Sequence, residues 1–331
     1  MKILIITDAW MPQVNGVVRT LTSTIATLEQ IGHTIKVISP DQFKNVPCPT
    51  YPEIRLALPF GKKIFRIFQQ FHPNAVHIAT EGPLGFYSRI LLSSKKIPYT
   101  TSFATKFPEY IYDRFKLSPD ITYRALRWFH AKSHCVMVAT QSVKKELAEK
   151  GFENLAFWGK GVDKCIFYPR GKDFLQDQRP ILLYTGRVAV EKNIEAFLSL
   201  DVEGTKYVVG NGPALNQLKA AYPKVRFVGA KHGDELARHY SAADVFVFPS
   251  LTDTFGLVMI EALACGVPVA AYPVTGPKDV IGKSGVGVLD ADLGAAIRKA
   301  IGIPSEKCIE FAKQFCWEES ARAFLSNLSQ I

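Results

Sequence analysis

Two doubly wound, Rossmann-like α/β domains in tandem are what this sequence predicts, on three observations. Its 331 residues amount to two domains at about 100–200 residues each. Short β-branched apolar runs alternate with amphipathic helical stretches, the pattern of a parallel sheet covered by helices on both faces. The alternation restarts after Pro169-Arg170-Gly171-Lys172. The domains are therefore placed at 1–168 and 172–304, with a helical segment at 305–331 expected to pack back on the first.

Lys2 to Thr7 is a continuous apolar run ending in a polar turn, as in a strand buried on both faces. The following helix, Val17 to Gln30, carries Val18, Leu21, Ile25 and Leu28 at helical spacing and ends at Gly32. Further strands are expected at Thr34 to Ser39, Ala75 to Ala79 and Cys135 to Thr140, with helices at Leu84 to Ser94 and Ser142 to Lys150. In the second half the strand-like runs are Ile181 to Thr185, Lys206 to Val209, Val225 to Val228, Val245 to Phe248 and Val267 to Ala271. Helical patterns lie between them at Asn193 to Ser199, Ala214 to Ala221, Asp234 to Ser241 and Gly256 to Ala264. Ser305 to Leu328 reads as one further helical stretch.

Composition excludes disorder and a spanning helix: hydrophobic residues make up 47% and charged residues 21%, and no apolar run reaches the roughly 18 residues a span requires. The opening residues meet Asp8 at once and read as a strand instead of an export signal. Six scattered cysteines without a CxxC pair fit reduced thiols in the cytoplasm and predict no metal site. The net charge of +10 is lopsided: residues 1–170 carry 23 Lys and Arg against 12 Asp and Glu, residues 171–331 carry 17 against 18. Such a surplus fits an anionic partner, an anionic membrane surface among them, with plain solubility as the alternative. No nucleic-acid-binding module is present to claim it.

Two clusters carry candidate chemistry. After Phe248 a polar loop leads to a helix starting near Phe255-Gly256, with seven residues between the carboxylates Asp253 and Glu261. Backbone N–H groups at that helix start, around Thr254, Phe255, Gly256 and Leu257, suit a phosphate. Glu261 is placed to accept hydrogen bonds from both ribose hydroxyls and Asp253 from a hexose; a solvated Glu261 beside an ordinary cap is the bland alternative. The second cluster, Tyr184-Thr-Gly186-Arg187 through Lys192, ends a strand in a glycine turn and sends two cations into the next loop. Arg187 can clamp phosphate oxygens as a fork and Lys192 can act as a point charge on the distal phosphate.

These residues resemble the family-4 retaining glycosyltransferases. The family's E-x7-E motif is matched by Asp253 and Glu261, its GR-x4-K element by Gly186, Arg187 and Lys192, and its VGxGP turn by Val209-Gly210-Asn-Gly212-Pro213. Phe227 through Lys231, Asp234-Glu-Leu and Ser241 through Val245 resemble the segment that flanks the nucleobase. Asp8 through Val17, including Asn15 and Gly16, resembles the glycine loop after the first strand, with Asn15 where a second glycine is usual. The resemblance spans nearly the whole chain. It implies a GT-B fold whose two domains face a central cleft, a nucleotide-sugar donor held by the second domain, no cofactor and no catalytic metal.

Within the family, Thr80 through Gly85, Phe107 through Tyr110, Gly161-Val-Asp163 and Tyr272 through Pro277 resemble the bacterial GDP-mannose-dependent α-mannosyltransferases. That implies a lipid, glycolipid or glycan acceptor, and the basic surplus of the first half adds the expectation of a cytoplasmic protein peripheral to the inner membrane face. One departure stands out: Ala104 occupies the place of a histidine usually found near the reacting sugar. It leaves open a UDP-sugar donor, or a donor-binding protein with weak or no turnover. A NAD enzyme is disfavoured, because Thr7-Asp8-Ala9-Trp10 replaces the GxGxxG expected after the first strand.

Three weaker signals have ordinary structural readings. Gly61 to Phe71 is amphipathic, with Ile64, Ile67, Phe68 and Phe71 on one face, and is expected to pack on the sheet before any bilayer. Asp290-Ala-Asp292 is expected to be a loop or helix cap, and His72 and His77 loop or core histidines.

Overall fold

A computed structural model describes residues 1–13, 15–48, 51–59 and 61–331, the side chains of 51–53 and 113–115 aside. The chain divides into two units, Met1–Lys160 with Trp317–Ile331, and Gly161–Cys316.

The first unit contains β1 (Lys2–Ile6), β2 (Thr34–Ile38), β3 (Asn45–Cys48), β4 (Tyr51–Ala57), β5 (Ala75–Ile78), β6 (Thr100–Phe103), β7 (Val136–Val138) and β8 (Leu155–Phe157). Six of them form a parallel sheet in the order β2-β1-β5-β6-β7-β8, while β3 and β4 make a separate antiparallel hairpin. Ile3, Leu4, Ile5 and Ile6 have no exposed surface, which is why β1 is a continuous apolar run with no alternation. Ile3 and Ile5 pack with Leu21 and Leu28 of the helix Gly16–Gln30; Leu4 and Ile6 pack on the other face with Leu84, Leu92 and Phe129. Residues 63–71 form a helix whose Ile64, Ile67, Phe68 and Phe71 join that second face, as expected of the amphipathic segment.

β6 was not anticipated, because Thr100-Thr-Ser-Phe103 reads as polar. Its hydroxyls are buried yet satisfied: Thr100 bonds His77 Nδ1 at 2.9 Å, Thr101 bonds His130 Nδ1 at 2.9 Å, and Ser102 donates to the Ala79 carbonyl at 3.1 Å. Partners distant in sequence make a polar strand affordable in the core. The β3–β4 hairpin was hidden by prolines at 47 and 52, and β8 by its brevity.

The last segment is two helices, Ser305–Ala312 and Trp317–Asn327, where a single stretch was expected. The first stays in the second unit, so close to Gly266 that a Cβ there would lie 2.0 Å from Ser305 Oγ. The second belongs to the first unit, where Phe324 is fully buried with its ring 5.0 Å from both His77 and Trp158. Trp158 Nε1 also donates to Ser320 Oγ at 3.1 Å. Residues 161–171 and 305–316 thus lie in the second unit, and only the final helix closes a face of the first sheet.

The second unit contains β9 (Ile181–Thr185), β10 (Thr205–Val209), β11 (Arg226–Gly229), β12 (Val245–Phe248), β13 (Val269–Ala271) and β14 (Gly287–Leu289). They form one parallel sheet in the order β11-β10-β9-β12-β13-β14. The chain winds outward from β9 to β11, then returns to the other side of β9. That reversal puts a crevice outside the C-terminal ends of β9 and β12, the place where doubly wound sheets bind ligands. Among the described residues no helix is long and apolar enough to cross a membrane.

Candidate functional site

β9 is buried along its length and delivers Gly186 and Arg187 to the reversal point. Tyr184 Oη donates to the Arg187 carbonyl at 2.7 Å, folding the turn back on its strand. The next loop lies directly against it. A Cβ on Gly210 would stand 1.8 Å from the Gly186 carbonyl oxygen, and one on Gly212 would stand 2.3 Å from that of Val188. Val188 N donates to Asn211 O at 2.9 Å and Ala214 N to Val188 O at 3.1 Å. Glycine at 210 and 212 is therefore a requirement of two backbones in contact.

The loop after β12 is tied to the same exit. Lys192 Nζ donates to Asp253 Oδ1 at 2.6 Å, the two side chains being 21% and 19% exposed. Asn193 Nδ2 donates to the Pro249 carbonyl at 3.1 Å and Thr252 Oγ1 to that of Glu191 at 3.4 Å. Gly256, at φ +88°, precedes the helix Leu257–Ala264, and no side chain caps it. Its opening N–H groups and the positive end of its dipole face the loop. Thr254 and Phe255 are buried, Phe255 edge-on to Phe315 at 6.1 Å, while Leu257 is half-buried.

Glu261, in the second turn of that helix, is 3% exposed, so the solvated alternative is ruled out. Its Oε2 accepts from Tyr240 Oη at 3.0 Å, and Tyr240 Oη lies 2.5 Å from Thr185 Oγ1 at the end of β9. Gly186, Arg187, Lys192, Gly210, Gly212, Thr254, Phe255, Gly256, Leu257, Asp253 and Glu261 thus belong to loops and helix turns joined by direct bonds or backbone contact at one end of one sheet. Lys231, at the exit of β11, pairs instead with Glu235 at 2.6 Å. The sequence reading did not single out Tyr240 and Thr185: a tyrosine on the buried face of a helix and a threonine ending a strand both look like packing.

Asn15 and Gly16 lie in the first unit. Asn15 Oδ1 caps the helix Gly16–Gln30, accepting from Val17 N and Val18 N at 3.0 Å each. Just before it, Asp8 accepts from Leu84 N at 2.8 Å, Gly85 N at 3.1 Å and Thr80 Oγ1 at 3.0 Å. Burial pushes the Asp8 carboxyl up to about 6 against the pull of these bonds, with the Glu81 charge adding to the rise. The folded protein then holds this proton at pH values where the unfolded chain has released it. Asp8 therefore contributes stability at low pH that is lost as pH rises from about 4 to about 6, in total about 3 kcal/mol. Chemical denaturation from pH 4 to 7 should show that decline in the wild type and its absence in Asp8→Asn; parallel profiles would refute the assignment.

His77 is a core histidine, fully buried against Trp158 and Phe324, and burial pushes it down to about 3. Asp292 caps the helix Leu293–Ala300 by accepting from Ala295 N at 3.1 Å. Both follow the ordinary readings.

Comparison with known proteins gives glycosyltransferase matches in both halves of the chain. The family described as "Glycosyltransferase Family 4" matches residues 14–164, and "Glycosyl transferases group 1" matches residues 179–303. A GDP-mannose-dependent alpha-mannosyltransferase of Mycobacterium tuberculosis is 28% identical over 87% of this chain and 83% of its own. An alpha-monoglucosyldiacylglycerol synthase of Streptococcus pneumoniae is 26% identical over 91% of this chain and 78% of its own. Among solved structures, a sucrose-phosphate synthase of Thermosynechococcus elongatus superposes with a TM-score of 0.81 at 20% identity, covering 98% of this chain and 97% of that one. The fold is GT-B, as the motifs implied.

Proposed function

Because the chain belongs to the family-4, group 1 glycosyltransferases, we propose that it moves a hexose, with retention, from a nucleoside diphosphate sugar to a hydroxyl of a lipid, glycolipid or glycan. The observation that carries this reading is the joining of the β9 and β12 exits, cations from one and carboxylates from the other, at the reversal point of the second sheet. Mannose from GDP-mannose is the favoured donor, supported by the mannosyltransferase relative that matches most of the chain. The second reading is a UDP-sugar donor, and the alpha-monoglucosyldiacylglycerol synthase relative supports glucose as its sugar.

In the proposed reaction the diphosphate lies between Arg187, Lys192 and the opening N–H groups of the helix Leu257–Ala264. Lys192 has three N–H donors, so it can keep Asp253 while touching the distal phosphate. Asp253 in turn holds hydroxyls of the hexose, and Glu261 those of the ribose. The acceptor hydroxyl approaches on the face from which the diphosphate departs. As the anomeric C–O bond to phosphate breaks and the new glycosidic bond forms, a phosphate oxygen takes the acceptor's proton. Arg187, Lys192 and the helix dipole supply positive charge as the leaving group gains negative charge, which is the basis for a metal-independent reaction. The basic surplus of residues 1–170 supports work at the inner, anionic face of a membrane.

The test is incubation of the protein with GDP- and UDP-sugars and a lipid extract, reading nucleoside diphosphate release, product anomer by NMR, and the effect of EDTA. GDP release from GDP-mannose, an α-linked product and indifference to EDTA are the expected results. UDP release would transfer the assignment to the second donor, and binding without release from any donor would make the Ala104 departure decisive against turnover.

A further inference from the structure

Tyr240 lies on the helix Gly233–Ala242, fully buried, its ring edge-on to Phe167 at 5.9 Å and Phe246 at 5.7 Å. A phenol has one proton and an ionised carboxylate only accepts. With Glu261 Oε2 at 3.0 Å taking the Tyr240 proton, the 2.5 Å contact to Thr185 is made by the threonine hydroxyl donating to Tyr240. The order is therefore Thr185 to Tyr240 to Glu261, with all three residues less than 5% exposed. Thr185 ends the strand that leads into Gly186 and Arg187, and Glu261 stands in the helix Leu257–Ala264. The relay therefore ties the exit of β9 to that helix.

We propose that Tyr240, anchored by Thr185, is a positioning residue that fixes the Glu261 carboxylate for recognition of the ribose diol, and so makes the site selective for ribonucleotides. This rests on the donor reading above. A carboxylate can accept several hydrogen bonds at once, and the bond from Tyr240 to Oε2 helps to set the plane in which Glu261 meets the ribose hydroxyls. A glutamate held this way loses little side-chain freedom on binding, whereas an untethered one would have to be ordered by the ligand itself.

Calorimetry on the full chain distinguishes the possibilities, with GDP and UDP each compared with its 2′,3′-dideoxy counterpart. Tyr240→Phe should weaken the tighter-bound ribonucleotide about 3- to 10-fold and leave its dideoxy form within about twofold. Thr185→Val, which leaves the tyrosine ring in place, should give a smaller loss with the same selectivity. Glu261→Leu, which has no acceptor, should erase the ribose preference. Equal loss for ribo and dideoxy ligands in Tyr240→Phe, or no loss, overturns the positioning role while Glu261→Leu still shows its effect. A ribose preference that survives Glu261→Leu, or a wild type that binds neither nucleotide, overturns the donor reading and this proposal together. Thermal melts of each variant separate misfolding from altered recognition, and Thr185→Val decides the matter if Tyr240→Phe melts early.

Discussion

Lys192→Ala is expected to lower kcat/KM for the donor sugar about 100- to 1,000-fold, the effect of removing a preorganised charge from a developing oxyanion. The loss should fall mainly on kcat, because a diphosphate leaving group gains charge in the transition state. Stability should change by only about 1 kcal/mol or less: the Lys192–Asp253 pair is about one-fifth exposed on each side, and ion pairs that meet solvent contribute little. Steady-state kinetics beside a denaturant melt tests both halves. A variant that melts like the wild type and keeps its kcat would remove Lys192 from the chemistry and leave it a loop tether to Asp253.

Gly210→Ala should produce the largest loss of stability, about 3 kcal/mol or more, because a Cβ 1.8 Å from the Gly186 carbonyl oxygen cannot be accommodated by turning a side chain. Backbone must move, and the backbone that moves carries Arg187. Donor affinity should fall along with the melting temperature, even though Gly210 offers no side chain to any ligand. Thermal denaturation and nucleotide binding on the same sample provide the check. A variant with unchanged melting and unchanged affinity would mean that the two loops do not meet in solution as they do here.

Periodicity was enough to locate the buried strands. β9 and β12 were bounded to the residue, and β1 to within one, because a strand covered on both faces has little choice but a run of apolar, β-branched residues. Motif spacing likewise brought Gly186, Arg187, Lys192, Asp253 and Glu261 forward as a group. Where the pattern failed, the cause was compensation from afar. Thr100, Thr101 and Ser102 form a central strand because His77, His130 and Ala79 meet their hydroxyls, and no local window contains those partners. The break after Ala312 was missed for a related reason: only packing assigns the two short helices to different units.

What the amino-acid sequence determined by itself was the α/β class with two parallel sheets and the glycosyltransferase family motifs, since each is written in local spacing. Only the tertiary structure decided which groups meet. It paired Lys192 with Asp253, buried Glu261 beneath Tyr240 and Thr185, and returned the last helix to the first sheet. Such partnerships depend on strand order and on backbones in contact, and neither is a property of any stretch of chain taken alone.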